Sequence, residues 1–255
     1  MKPTTRWAFA GVALIASGAA LYLNGQLPAA MGETPWGYAD QLAEALQAVD
    51  ARGSVELAKL RLHRAALDSF IANLASTSTE RFRSPAEENA FWLNAYHALT
   101  LQTLLDGDGW WQSWPVAGHR VTRWSIARHH LREVGDPRLP LARWDGSKSG
   151  PRLEAVPFDG VGLDRQLTEA VRRFIRRRDV VQRKGKVVEL APRLLEHERE
   201  LLEALPEGNR RVLQFIWAFL PQTCDGEWPG CETRAALDAA CGRELDACTV
   251  VKARE

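Results

Sequence analysis

Asn94 and His97 stand about one helical turn apart inside an otherwise apolar run, Phe91-Trp92-Leu93-Asn94-Ala95-Tyr96-His97-Ala98-Leu99. Further along, Asp145 is followed by Ser147 and Ser149, and His129 lies next to His130. A histidine, a carboxylate and a serine hydroxyl are the parts of a nucleophilic triad, in which the imidazole takes the hydroxyl proton and the carboxylate orients the imidazole. Only a fold brings such members together, so sequence spacing leaves Asn94, His97, Asp145 and Ser149 as catalytic candidates. The same residues have an ordinary structural use. Asn94 and His97 either help to line a pocket or do plainer work, the Asn tying down a neighbouring loop and the His hydrogen-bonded in the core or at its boundary, while Asp145 with Ser149 makes loop turns. Adjacent histidines point different ways on a helix, so His129 and His130 form a poor metal pair. The chain has no phosphate-binding glycine loop and no dinucleotide fingerprint, so the sequence indicates no cofactor.

The element that must carry Asn94 and His97 is a helix from 85 to about 105. Ser84 suits its N-cap, Pro85 its first position and Glu87 the reciprocal half of a capping box. Phe91, Ala95, Ala98 and Leu101 or Gln102 recur at helical steps, which sets Asn94 beside a core-facing stripe. Two amphipathic helices precede it, Tyr38 to Val49 and Glu56 to Leu74, and Asp106-Gly107-Asp108-Gly109 ends it. Trp110, Trp111 and Trp114 then form either an aromatic wall for a ligand or a lid on the core. Val116 to Trp124 reads as a short strand and Ser125 to Leu131 as a helical turn or two. The Gly- and Pro-rich stretch 132–162 reads as loops and strands. Leu163 to Ile175 is helical, with Leu163, Leu167, Val171 and Phe174 or Ile175 facing inward. Residues 180–190 read as a β-hairpin turning at Lys184-Gly185, and two further helices follow, Leu194 to Leu205 and Arg210 to Leu220.

At the N-terminus, Lys2 and Arg6 precede Trp7 to Leu23, a charge-free apolar run that reads as an export signal, either a signal peptide or an N-terminal membrane anchor within residues 1–30. Both charges precede the run, which places the rest of the chain outside the cytoplasm: anchored with its domain on the periplasmic or extracellular side, or secreted after cleavage. All four cysteines, Cys224, Cys231, Cys241 and Cys248, fall near the C-terminal end. An even, clustered set in an exported chain predicts two disulfides with three pairings open, and the spacing lacks the short knuckles of zinc sites. The formal charge is +1, and with Lys2 and Arg6 set aside one net negative charge remains, which gives no case for nucleic acid. The local run Arg172, Arg173, Arg176, Arg177 and Arg178 faces either an anionic lipid or envelope surface or plain solvent at a helix end.

The Phe91 to Leu99 motif, with Asp136-Pro137-Arg138 some forty residues on and Leu163 with Gln166-Leu167 beyond, resembles the family catalogued as domain of unknown function 547, found in bacterial exported proteins and in plants. The likeness covers roughly residues 60–220. Within it Trp92, Tyr96 and Arg138 are the ligand-binding, pocket-lining candidates, and a papain-like or transglutaminase-like layout would suit a family with cysteine and histidine in its motifs. The family pattern also has a Glu-His pair, a His-Phe pair and a Cys-Gly-x-x-Ser-Cys-Pro segment. Here Ala127-Arg128 and Pro140-Leu141 stand at the two pairs, and Asp145 and Gly150 replace both cysteines. A thiol poised by histidine would be a nucleophile, and an aspartate cannot do that work.

These readings predict a predominantly helical α+β domain of about seven helices with a small antiparallel sheet or hairpin. It would span 31–220, with a Cys-rich extension, 221–255, packed on it. The first functional expectation is a catalytically degenerate binding or scaffolding domain in the cell envelope, whose partner is an envelope protein or polymer. The alternative is a cell-envelope hydrolase or transferase with a relocated His/Asp site.

Overall fold

The computed structural model describes residues 37–107, 111–131, 135–184, 187–203, 205, 212–221, 231–241 and 249–253. All belong to one compact unit, Glu33–Glu255. The apolar run 7–23, Trp110, Cys224 and Cys248 lie outside the described residues. Among the described residues no helix is long and apolar enough to cross a membrane.

The fold is a predominantly helical α+β arrangement with two small sheets. α1 (Ala39–Ala45) runs into a 3-10 turn, Leu46–Ala48, and packs on α3 (Arg64–Ser76). The single helix expected over 56–74 is two. α2 (Leu57–Leu62) stops at His63, which leaves the helical region and serves as N-cap to α3, so the two segments turn different faces to the core.

α4 (Pro85–Asp106) is the central element. The Ser84 hydroxyl accepts the Glu87 N–H at 3.2 Å, the expected cap. Glu87 does not complete the box on Ser84. Its carboxylate reaches one residue further back, accepting the Arg83 amide at 2.7 Å and the Arg83 side chain at 3.0 Å. Gly107 closes the helix in the left-handed conformation at φ 72°. Every residue from Asn89 to Leu101 is buried, so the helix has no solvent side over its middle turns. Such a helix owes its stability to burial on all sides; each large apolar side chain contributes about 1.5–3 kcal/mol.

β1 (Trp114–Val116) and β2 (His119–Val121) form a hairpin where a single strand was expected. Ala117 and Gly118 turn it, both with positive φ, and the Ala117 amide bonds the Leu74 carbonyl at 2.8 Å. α5 (Arg123–Ser125) opens on a capping box from Thr122 and widens into a π-helical segment, Ile126–Leu131, against α4. α6 (Leu139–Ala142) is the one regular element described between 135 and 162, a region expected to hold strands.

α7 (Leu163–Ile175) has the expected bounds and buries Leu163, Leu167, Ala170, Val171, Phe174 and Ile175. The hairpin of β3 (Val181–Lys184) and β4 (Val187–Leu190) also occurs. α8 (Pro192–Glu196) and α9 (Glu198–Glu203), parted at His197, replace one expected helix, and α10 (Val212–Ala218) follows. α11 (Cys231–Cys241) packs across β3 and β4, and β5 (Thr249–Lys252) lies parallel to β4, giving the order β3-β4-β5.

Two apolar clusters hold the fold. One gathers α1 to α4, the first hairpin and the start of α7; the other gathers the end of α7, the second sheet and α8 to α11. α7 contributes to both.

Candidate functional site

The polar groups of α4 are committed to backbone. Asn94, 1% exposed, donates from Nδ2 to the Phe158 carbonyl at 2.7 Å and accepts the Phe158 amide on Oδ1 at 2.9 Å. This pairing closes both hydrogen-bonding functions of a buried strand-like segment that has no sheet neighbour. Two turns earlier on α4, Glu87 packs against Gly160, where a Cβ would fall 2.3 Å from the Glu87 Cγ and 2.8 Å from its Cα. Glycine is required there because the loop carrying Phe158 lies on the helix backbone.

His97 accepts the Trp144 amide on Nε2 at 3.0 Å, so the neutral ring carries its proton on Nδ1. Burial drives its pKa from 6.5 down to about 3; Arg143 adds to the drop, while a hydrogen bond to the Ala142 backbone and the Asp145 carboxylate oppose it. At neutral pH the ring is therefore an uncharged acceptor for the loop amide, with Nε2 occupied in this state.

Asp145 opens the loop 145–151. Burial works against its ionisation, but Arg193 of α8, the Ser147 hydroxyl and amide, and Arg143 together hold its carboxyl below the usual carboxylate range. One carboxylate oxygen is ion-paired with Arg193, and the other accepts the Ser147 amide at 2.9 Å. The Ser147 hydroxyl accepts the Gly150 amide at 3.0 Å, and a Cβ on Gly150 would lie 2.6 Å from that hydroxyl oxygen and 2.8 Å from Asp145 Oδ1. Arg177 clamps the same loop from below, donating to the Gly150 carbonyl and to the Lys148 carbonyl at 3.0 Å. Ser149 is exposed at the loop's outer edge. His97 and Asp145 are thus electrostatic neighbours without a hydrogen bond to each other; Asp145 bonds Ser147, and no hydrogen bond links His97 to Ser147 or Ser149.

Of the pocket-lining candidates, Trp92 is buried against Phe91 and stacks on His130 with ring centroids 3.6 Å apart. His129 instead meets Trp124 on the other side of the π-helical segment, so the two histidines do diverge. Arg138 is a brace. Its guanidinium spans Asp136, at 2.8 Å, and Asp164 and Thr168 of α7, at 2.8 and 2.9 Å, fixing α6 to the start of α7. Tyr96, 3% exposed, lies beneath the guanidinium of Arg143, whose Cζ is 5.3 Å from the ring centroid. Burial raises the Tyr96 pKa, partly offset by Arg143, Arg123 and Arg193.

The arginine run is engaged within the chain. Arg172 pairs with Glu169 at 3.0 Å, Arg173 with Glu154, Arg177 with Asp179, and Arg178 with Glu232 at 3.1 Å. The Nε of Arg176 is buried. No group of three or more metal-ligating side chains occurs among the described residues.

The structure therefore gathers Tyr96, His97 and Asp145 in one place but centres it on Arg143 and Arg193, which the motifs do not single out. The one cue in the sequence is that Arg143 interrupts an apolar stretch, Leu141-Ala142-Arg143-Trp144. For Arg193 there is none.

No curated protein and no solved structure matches the chain. A family model does: the one described as Protein of unknown function, DUF547, matches residues 81–175. The matched stretch begins just before α4 and ends with the last residue of α7, so it takes in Asn94, His97, the Arg138 brace and the Asp145 loop. Over that segment the chain is similar to the DUF547 family, proteins of unknown function.

Proposed function

We propose that this is an exported cell-envelope protein whose DUF547 segment forms a binding or scaffolding domain and performs no catalysis. The observation that carries the reading is the state of His97: its Nε2 accepts the Trp144 amide, and burial holds its pKa at about 3. Asp145 supports it, being tied to Arg193 and Ser147, as does Asn94, whose amide is spent on Phe158. Export is supported by the charged start and apolar run of residues 1–23 and by the four clustered cysteines. The partner on this reading is an envelope protein or polymer.

Assays of the purified protein with ester, peptide and cell-envelope substrates, run beside His97→Gln, test the non-catalytic part. The expected result is no turnover that depends on His97. A rate that falls by about 100-fold or more in the variant, the usual effect of losing a general base, would establish the alternative, a hydrolase or transferase using His97 and Asp145. Cell fractionation with protease protection tests export, and a protein found wholly in the cytoplasm would end that part.

A further inference from the structure

Arg143 leaves α6 at its C-cap, its amide still bonded to the Leu139 carbonyl, and turns its side chain over Tyr96. Its Nε is buried with no hydrogen-bond partner, and none of the described residues forms an ion pair with the guanidinium. The carboxylate that should neutralise it, Asp145, is taken by Arg193 and the Ser147 amide. Glu196 is the next carboxylate whose field reaches Arg143; it is half-exposed and sits 3.8 Å from Lys252. Tyr96 and His97 are neutral at pH 7. Two guanidiniums thus share one carboxylate at a largely desolvated spot. Burying a cation without its anion is costly, and a planar guanidinium is suited to taking two oxygens of a carboxylate or phosphate side by side. Arg143 is only partly buried while its Nε is fully so, which leaves the terminal nitrogens of the guanidinium as the part that meets a ligand.

We infer that Arg143, backed by Tyr96 and flanked by Arg193, is an oxyanion-binding site that receives a carboxylate or phosphate group of the domain's ligand. The inference rests on reading the domain as a binding domain and adds the chemical class of what it binds. The ligand completes the charge that Asp145 leaves uncompensated. Tyr96 supplies a ring face under the guanidinium and holds it in plane, and Arg193 reaches the same anion only by sharing it with Asp145. Arg143 is therefore the residue on which affinity turns.

The test is a titration of the full chain with inorganic phosphate and, separately, acetate, against chloride at matched ionic strength. The readouts are the Arg143 Nε–H signal in nitrogen–proton correlation spectra and the thermal midpoint. The expected result is a saturable shift of that signal and a rise in midpoint with at least one oxyanion, the stronger responder naming the source as phosphate or carboxylate. Arg143→Gln should weaken binding about 10- to 100-fold, the worth of a charged hydrogen bond, and Arg178→Gln should leave it unchanged. Absence of any saturable response in the parent overturns the inference without appeal to a variant, as does equal binding by Arg143→Gln. His97-dependent turnover alongside intact oxyanion binding would overturn the non-catalytic reading and leave this site standing.

Discussion

Asn94 and Phe158 exchange two hydrogen bonds, side-chain amide to backbone carbonyl and backbone amide to side-chain oxygen, so one residue of α4 replaces a missing strand neighbour for the loop that crosses it. An unmade buried bond of this kind costs about 1–3 kcal/mol. Asn94→Ala is expected to lower the unfolding free energy by about 2–5 kcal/mol in urea, with the slope on denaturant unchanged. Asn94→Asp should be no better, because it loses the donor to Phe158 and buries a charge.

Acid should destabilise the fold through His97. Its folded pKa of about 3 lies below the usual 6.5, so the unfolded chain binds the proton first, and the associated stability is complete above pH 6.5 and drains away as pH falls toward 3. One such group sets a slope of about 1.4 kcal/mol per pH unit, hence roughly 3 kcal/mol between pH 6.5 and 4. Asp145, with its carboxyl held low, adds a further loss at the acid end, below its ordinary range. Urea unfolding at several pH values checks this. In His97→Gln the slope between pH 6.5 and 4 should flatten, and a slope unchanged from the parent would contradict the buried neutral state.

Gly160→Ala is expected to cost about 1–3 kcal/mol or more, since the new methyl would meet the Glu87 Cγ at 2.3 Å and its Cα at 2.8 Å, and the backbone atom cannot rotate away. Gly107→Ala should be milder, because nothing lies within 4 Å and only the left-handed φ of 72° opposes it. Thermal midpoints of the two variants give the comparison directly.

Cys231 and Cys241 stand at opposite ends of α11, an 11-residue helix, so about 15 Å of helix rise separates them against the roughly 7 Å a disulfide spans. If two bridges form, each must join one of these cysteines to Cys224 or Cys248. A non-reducing peptide map should show those links, and a Cys231–Cys241 peptide would contradict the helix. Loss of the bridges should cost about 2–5 kcal/mol.

What was legible in the sequence was local. Ser84, Pro85 and Gly107 state the ends of α4 in their own chemistry, and the spacing of Leu163, Leu167, Val171 and Phe174 states the buried face of α7. The breaks at His63 and His197 are not written locally. There the periodic pattern runs on and tertiary contacts redirect it, leaving Leu62 82% exposed at the end of α2. β5 was invisible for a related reason: Thr249-Val250-Val251-Lys252 is four residues long, and its partner β4 lies far back along the chain. At the site, Asn94 and His97 stand out by type, as polar residues in an apolar run, and the structure gives Asn94 the ordinary use of such a residue, tying down a crossing loop. Arg143 does not stand out, because what distinguishes it is an acceptor that Arg193 has claimed, a relation between three residues that no spacing encodes.

β4 is bonded on one side to β3 and on the other to β5, and the Ala253 amide continues that second seam onto the Leu190 carbonyl. While the chain is being made, β3 arrives with β4 but β5 comes only after α8 to α11 have been synthesised. Through that interval β4 presents a row of unpaired amides and carbonyls carrying Val188 and Leu190, the kind of edge on which a second nascent chain can dock. Removing residues 249–255 would leave that edge open in the finished protein, and such a variant should self-associate more readily than the parent.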